Sequence, residues 1–523
     1  MRPVSACVHC RERRKRCLRA RQGTSCAYCI DKGLECTVDL KPSPVQDSSR
    51  GYAPLVSPEV PTTSRISSAA VPDPHLSSEL IDLYFIHVNA SFPSLFHRPT
   101  LKAAVRDGTV PKVLFLAIIS LSARFSSHPG FEGIEPCDRG RPYAEEAQRL
   151  LNLRDKSITT IQACILLGTV FQVEGDPNTE SIYYAIASRM ALLLDLPNAV
   201  ADSPIEQELY HRIWWSIITI ETWHSAALCI PRTLNPDENV PLPFDEWEFS
   251  QLKPGSDSWV RPSPTEDSSL SLLGNMVELN QLLDGVNKLN AGIASGATKD
   301  ENIQQSVQQL SCSLDAWKSS LSTRLQYNDA NIAYWVEKNL GQAFLNLHIL
   351  YNNVGQRLFY QFLYLVQDNT DLSPTDPTYC FAKKCKLYAT DFCEIIHRAR
   401  VQPETQLLSS LVGHMLVIAS TVQLHTLLFS PDDGEIAAAK LCLEQNFEVL
   451  MHLNSYWPNV STAMARFNDF HTACLRGRDS SFQLGRWMLQ FMLQFSRPLE
   501  DKGYATDSRD FWAAEISRYL NDR

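Results

Sequence analysis

The chain has 523 residues, enough for several domains or for one large core with appendages. Apolar residues at 44% against 20% charged are ordinary for a soluble globular protein. The net charge of −10 hides an asymmetry: residues 1–36 carry nine Lys+Arg and three Asp+Glu, a net of +6, so the remainder is −16. That division fits a small basic head that binds nucleic acid, and it excludes the acidic body as a DNA binder in its own right.

The head carries the most informative pattern. Its cysteines are Cys7, Cys10 and Cys17, then Cys26, Cys29 and Cys36. Each trio has the spacing C-x2-C-x6-C, so one metal-binding half is written twice, joined by the eight residues 18–25. A structural zinc site takes four ligands in a tetrahedron. Two ions need eight ligand positions, and six thiolates supply eight if two of them bridge. Six thiolates against two divalent ions leave a formal charge of −2. Arg11, Arg13, Arg14, Lys15 and Arg16, all between Cys10 and Cys17, oppose it. All-thiolate ligation favours zinc over calcium or magnesium. A disulfide framework needs an oxidising compartment, and the first residues, MRPVSACVHC, hold no apolar signal-peptide core. An iron–sulfur site more often uses four cysteines, and free buried cysteines have no reason to repeat a spacing.

The stretch ACVHCRERRKRCLRARQGTSCAYCIDKGLEC, residues 6–36, resembles the DNA-binding domain of fungal binuclear zinc-cluster transcription factors. The resemblance implies a small head of two short helices around two zinc ions. Cys7 and Cys26 would bridge, Cys10 and Cys17 would complete one site, and Cys29 and Cys36 the other. It further implies that the short helix after Cys10 points into the DNA major groove. The base-reading position, usually lysine, is here Arg14, flanked by Arg13. Arg11 and Arg16 match positions that contact phosphate, with Lys15 beside them. Arginine can place two donors on guanine O6 and N7, where lysine offers a flexible point charge. The same RERRKR run also reads as a nuclear-import signal. The loop RQGTS lacks the proline that the family commonly has before its fourth cysteine.

Residues 41–76 read as a disordered linker rich in proline and serine, between a zinc head at 1–40 and a helical body. A dimerising coiled coil needs sustained apolar heptads without proline, and this linker has none. From Ser77 the pattern is helical to the end, which predicts an all-α body. SSELIDLYFIHVNASF puts Leu80, Leu83, Tyr84, Val88 and Phe92 near one face. A helix follows over 101–106, then the strongly apolar VPKVLFLAIISLSARFS, expected to be central. ITTIQACILLGTVFQV and SIYYAIASRMALLLDL give two more. The best-signed start is Ser203-Pro204-Ile205-Glu206, with serine as cap, proline at the first position and glutamate placed to close a capping box. That helix runs through LYHRIWWSIITIETWHSAAL and stops near Ile230-Pro231.

The stretches YFIHVNASFPSLFHRPTL (84–101), IQACILL (161–167), YYAIASRMALLLDLP (183–197), RIWWSIITIE (212–221) and VPLP (240–243) resemble, in order and spacing, the fungal-specific transcription factor domain found beside such zinc clusters. The resemblance implies an all-α regulatory domain over 77–250, continued by a helical body over 251–523. Two departures are Tyr210-His211-Arg212, where basic residues are usual, and Ile230 before the terminating proline, where glycine is usual. Residues 250–269 and 368–377 read as loops, and 430–434 as a turn between helices.

Residues 405–430 hold no charged side chain and are long enough to span a bilayer. Their serines, threonines, glutamines and histidines favour a buried helix instead, so no membrane partner is expected. The remaining cysteines form no C-x2-C pair, and reduced, mostly buried thiols are expected. No phosphate-binding glycine loop, nucleophile elbow or H-E-x-x-H motif occurs. The candidate acid–base group, Glu221 with His211 and His224, reads as core or surface. The expectation is therefore not an enzyme but a nuclear transcription factor for RNA polymerase II genes. Its partners are double-stranded DNA, reading CGG-type half-sites by resemblance, and the transcription machinery. A small-molecule effector in an apolar pocket and a homodimer are open to it. The alternative is a ligand-sensing helical protein whose zinc head is a protein-interaction module. Residues 509–520 (RDFWAAEISRYL) read as a terminal amphipathic helix packed on the body, and as an activation segment in the second place.

Overall fold

The computed structural model describes residues 26–32, 71–89, 94–236, 239–253, 271–298, 300–368, 373, 375–477 and 484–493. Residues 41–70 of the expected linker, 254–269 of the expected 250–269 loop and the 509–520 stretch lie outside the described residues, and Ser250 and Gln251 end a helix instead of opening that loop. The chain divides into two units, Met1–Arg65 and Ile66–Arg523. In the first, α1 spans Ala27–Asp31.

The second unit is helical, and among the described residues it contains no strand. It opens with α2, Pro74–Leu83. This helix starts three residues before the expected Ser77. Asp73 is the reason: its carboxylate accepts from the amides of His75 at 2.9 Å and Leu76 at 3.1 Å. Pro74 fits the first helical position and so belongs to the helix, not the linker. A π-helical turn, Tyr84–Val88, then carries Tyr84, Phe85 and Val88 into the core.

Helix α3 spans Arg98–Arg106, starting earlier than the expected 101–106 because Pro99 suits its first turn. Helix α4, Lys112–Ser122, buries every residue from Leu114 to Ser122, as its apolar sequence predicts. Helix α5, Arg141–Leu150, crosses α4 at Gly140. A Cβ on Gly140 would sit 1.8 Å from the Ser120 carbonyl oxygen, so only glycine permits the approach. Helices α6, Ile158–Glu174, and α7, Pro177–Leu193, pack as a pair, and Gly168 makes room there for the Tyr184 ring.

Helix α8 spans Pro204–Leu228. Ser203 caps it as expected, its hydroxyl accepting from the Glu206 amide at 3.2 Å. The reciprocal half of the box does not form, because Glu206 instead accepts from the Tyr210 hydroxyl at 3.0 Å. The helix stops with Cys229 in the left-handed region at φ 52°, one residue before Ile230-Pro231. Then follow α9, Glu246–Gln251; α10, Leu272–Ser295; α11, Asp300–Ser320; and α12, Asp329–Glu337.

Helix α13, Gly341–Phe359, is buried along its whole length and packs on α10 and α15. A helix apolar or buried on all sides belongs in the middle of a large core. The chain continues through α14, Phe362–Asp368; α15, Pro377–Ala399; α16, Ser410–Phe429; α17, Asp433–Asn454; α18, Asn459–Gly477; and α19, Leu484–Leu493. Helix α16 is long and apolar enough to cross a membrane, but 78% of its apolar window is buried inside the protein. It is charge-free because it packs against α15, α17 and α18. One hydrophobic cluster runs from Leu76 to Met492.

Candidate functional site

Two of the six frame cysteines lie in the described part of the head. The Ile30 amide bonds the Cys26 carbonyl at 3.1 Å, closing the first turn of α1. A three-residue separation on one helical turn puts two side chains on the same side. Cys26 and Cys29 are both 0% exposed, whereas Ile30 is 68% exposed. Two thiols one turn apart on the same side of a short helix can share one metal ion, so this pair fits a zinc-holding role. Cys7, Cys10, Cys17 and Cys36, and the basic residues Arg11, Arg13, Arg14, Lys15 and Arg16, lie outside the described residues.

In the body, α8, the 240–252 segment and the segment before α3 converge on Arg212, which is 1% exposed. Its Nε donates to Glu208 Oε1 at 2.8 Å and its Nη2 to the Phe244 carbonyl at 2.6 Å. Glu208 Oε1 also accepts from the Phe244 amide at 3.1 Å. The guanidinium stacks 4.2 Å from the Phe249 ring centroid. Trp215 Nε1 donates to the Pro241 carbonyl at 3.0 Å, which ties VPLP to the tryptophan-rich helix. His97 Nε2 meets the Phe249 carbonyl at 2.9 Å. Together these bonds clamp residues 240–252 across α8 and the segment before α3.

Beside the clamp is a cavity of about 610 Å³ whose lining includes Arg98, Arg212, Glu246, Trp247, Met276 and Lys338. Lys338 Nζ lies 4.8 Å from the Trp247 ring centroid. Glu246 accepts from the amides of Leu272 and Leu273 at 2.8 and 3.0 Å, so it caps α10. Burial raises its carboxyl above the usual range despite Arg212 nearby. The cavity thus offers apolar walls with cationic and acidic groups at its edge, a composition suited to a small amphipathic molecule.

The acid–base candidates separate. Glu221 accepts from the Ser188 hydroxyl at 2.8 Å and the Thr233 amide at 2.9 Å, not from either histidine. His224 Nδ1 lies 3.2 Å from Glu180, and His211 Nδ1 lies 3.7 Å from Glu208. Glu221 and His224 tie α8 to α7, whereas His211 and Glu208 lie three residues apart on α8 itself. In the sequence, Arg212 shows only as part of the Tyr210-His211-Arg212 departure. Glu208 four residues before it was the available signal.

Residues 81–327 match the fungal specific transcription factor domain. The chain is also similar to two uncharacterized transcriptional regulatory proteins of Schizosaccharomyces pombe. One is 24% identical over 330 residues, 57% of this chain and 34% of the relative. The other is 22% identical over 553 aligned residues, 86% of this chain and 76% of the relative. A Zn(2)-C6 fungal-type transcription factor of Fusarium oxysporum f. sp. lycopersici is 26% identical over 215 residues, 38% of this chain. Those alignments span only about a third of the first relative and a fifth of the Fusarium protein (34% and 22%). No solved structure matches. Residues 81–327 of the helical body thus resemble the fungal specific transcription factor domain, and the relatives above are named as transcriptional regulators or transcription factors.

Proposed function

We propose that this chain is a nuclear, sequence-specific DNA-binding regulator of RNA polymerase II transcription. Cys7, Cys10, Cys17, Cys26, Cys29 and Cys36 hold two zinc ions. Arg14 reads guanine in a CGG-type half-site, and Arg11, Arg13, Lys15 and Arg16 hold the phosphates. The zinc supplies the head's folding energy. The acidic helical body regulates, engages the transcription machinery and joins two copies where two half-sites are read. The observation that carries this reading is the doubled cysteine frame around a basic loop, on a chain whose body matches a transcription factor domain.

The cavity beside Arg212 supports effector control of that body. An apolar molecule with one anionic group suits its aromatic walls and the cations Arg98 and Lys338.

The reading is tested by selecting binding sites from random DNA with the zinc-loaded full chain. Enrichment of CGG is expected, once for a monomer or twice at fixed spacing for a dimer. If unrelated DNA competes as well as any selected site, the head is a protein-interaction module instead.

A further inference from the structure

Helices α15 and α17 lie side by side in the body, and their cross-links keep a constant register. Lys386 pairs with Glu435 at 2.9 Å, and His397 Nε2 donates to Asn446 Oδ1 at 2.8 Å. Both pairs are separated by 49 residues, so the helices run parallel. Cys393 and Cys442 share that separation and stand between these two ties. The two thiols are close enough for each to act on the ionisation of the other. Arg400 with Glu448, at 3.1 Å, closes the row at the far end.

The surroundings hold the two sulfurs still and give them different characters. Asn446 is one turn beyond Cys442 and is 0% exposed. Its Oδ1 is occupied by His397, so both Nδ2 hydrogens point the other way. They reach Cys393 Sγ at 3.4 Å and Ser420 Oγ on α16 at 3.0 Å. Cys393 is 1% exposed and Cys442 half-buried. The neighbouring Cys393 thiol holds the Cys442 thiol below the usual thiol range, whereas burial pushes Cys393 well above it. The Glu394 carboxylate beside both opposes ionisation. A partly accessible, more acidic thiol with a buried thiol in contact is the arrangement of an attacking and a resolving cysteine.

We propose that Cys393 and Cys442 are an oxidative modification site that closes to a reversible disulfide and staples α15 to α17. A hydroperoxide is the oxidant. The Cys442 thiolate attacks the peroxide oxygen, the O–O bond breaks, and the alcohol or water leaves with a proton. Cys442 is then a sulfenic acid. Cys393 Sγ attacks Cys442 Sγ, the S–O bond breaks, and hydroxide leaves with the Cys393 proton as water. The two thiols lose two electrons and the peroxide gains them. A dithiol reverses the bond by exchange. Without the disulfide, the ion pairs of this row are solvent-facing and hold the two helices weakly. The staple therefore changes how firmly α15 and α17 are held to each other. This site is independent of how the zinc head reads DNA.

The test uses the zinc-loaded full chain, a limiting pulse of hydrogen peroxide, thiol blocking and peptide mapping without reduction. A Cys393–Cys442 linked peptide is expected, reversed by dithiothreitol and formed at least about 10-fold faster than oxidation of the exposed Cys312. Cys393→Ser should leave Cys442 as a sulfenic acid that dimedone traps. Oxidation of Cys312 or Cys229 ahead of Cys442, or loss of both thiols with no linked peptide, overturns the proposal. Site-specific mapping separates either result from oxidation of the head cysteines.

Discussion

His97 Nε2 lies 2.9 Å from the carbonyl oxygen of Phe249, 152 residues further along the chain. A carbonyl only accepts, so Nε2 carries the proton. Nδ1 then accepts from the Thr100 hydroxyl at 2.7 Å, and the ring is neutral. Burial lowers its pKa from the ordinary 6.5 to about 4. A depressed folded value means that the group stabilises the fold fully above pH 6.5, and that this stability is lost as pH falls toward about 4. The loss from this one residue between pH 7 and pH 5 is up to about 2 kcal/mol. His97→Gln should lower stability at pH 7 and flatten that pH dependence. Urea unfolding at pH 7 and pH 5 reads both effects. An unchanged slope in the variant contradicts a buried neutral His97.

Arg212 and Glu208 form a buried pair that also holds the backbone of Phe244 from both sides. Removing one partner leaves the other charged and buried, at a cost of about 3–5 kcal/mol. Arg212→Met should therefore destabilise strongly. Arg212→Met with Glu208→Leu should be less destabilised than the sum of the two single changes, which a double-mutant cycle on unfolding free energies measures. Simple additivity would mean that the two side chains act separately.

At the α4–α5 crossing, the atom that a new Cβ would meet on Gly140 is backbone, not a flexible side chain. Gly140→Ala should cost about 1–3 kcal/mol or more, because neither helix can yield without moving its neighbours. Thermal unfolding of the full chain checks it. A melting temperature equal to the parent's would show that the helices separate freely there.

In the head, Cys17→Ala should leave fewer than two zinc ions per chain, with loss of specific DNA binding and little change in total helicity. Zinc content by mass spectrometry and helicity by circular dichroism read these independently. Two retained zinc ions would remove Cys17 from the ligand set.

What the sequence made legible was local. Ser203 and Pro204 marked the start of α8 because a cap acts within three residues. The apolar 112–122 run and the charge-free 405–430 run marked buried helices for the same reason. Asp73 was misjudged because two prolines nearby resembled linker composition, although Pro74 suits a helix start. The bonds of His97 to Phe249, Arg212 to Phe244 and Asn446 to Cys393 join residues 152, 32 and 53 positions apart. Such pairings leave no periodic trace in a single sequence. The zinc frame was the opposite case, since spacing alone carries its signal.

The central claim is that Arg14 reads a base from a zinc-held head. The most direct measurement compares the zinc-loaded full chain with its Arg14→Ala variant, on duplexes carrying CGG and on duplexes with one base pair of CGG changed, at a fixed salt concentration. The account predicts a loss of about 1–3 kcal/mol on CGG for the variant, with discrimination relaxed at a single base pair. Equal weakening on every duplex would contradict it, leaving Arg14 as one more phosphate contact.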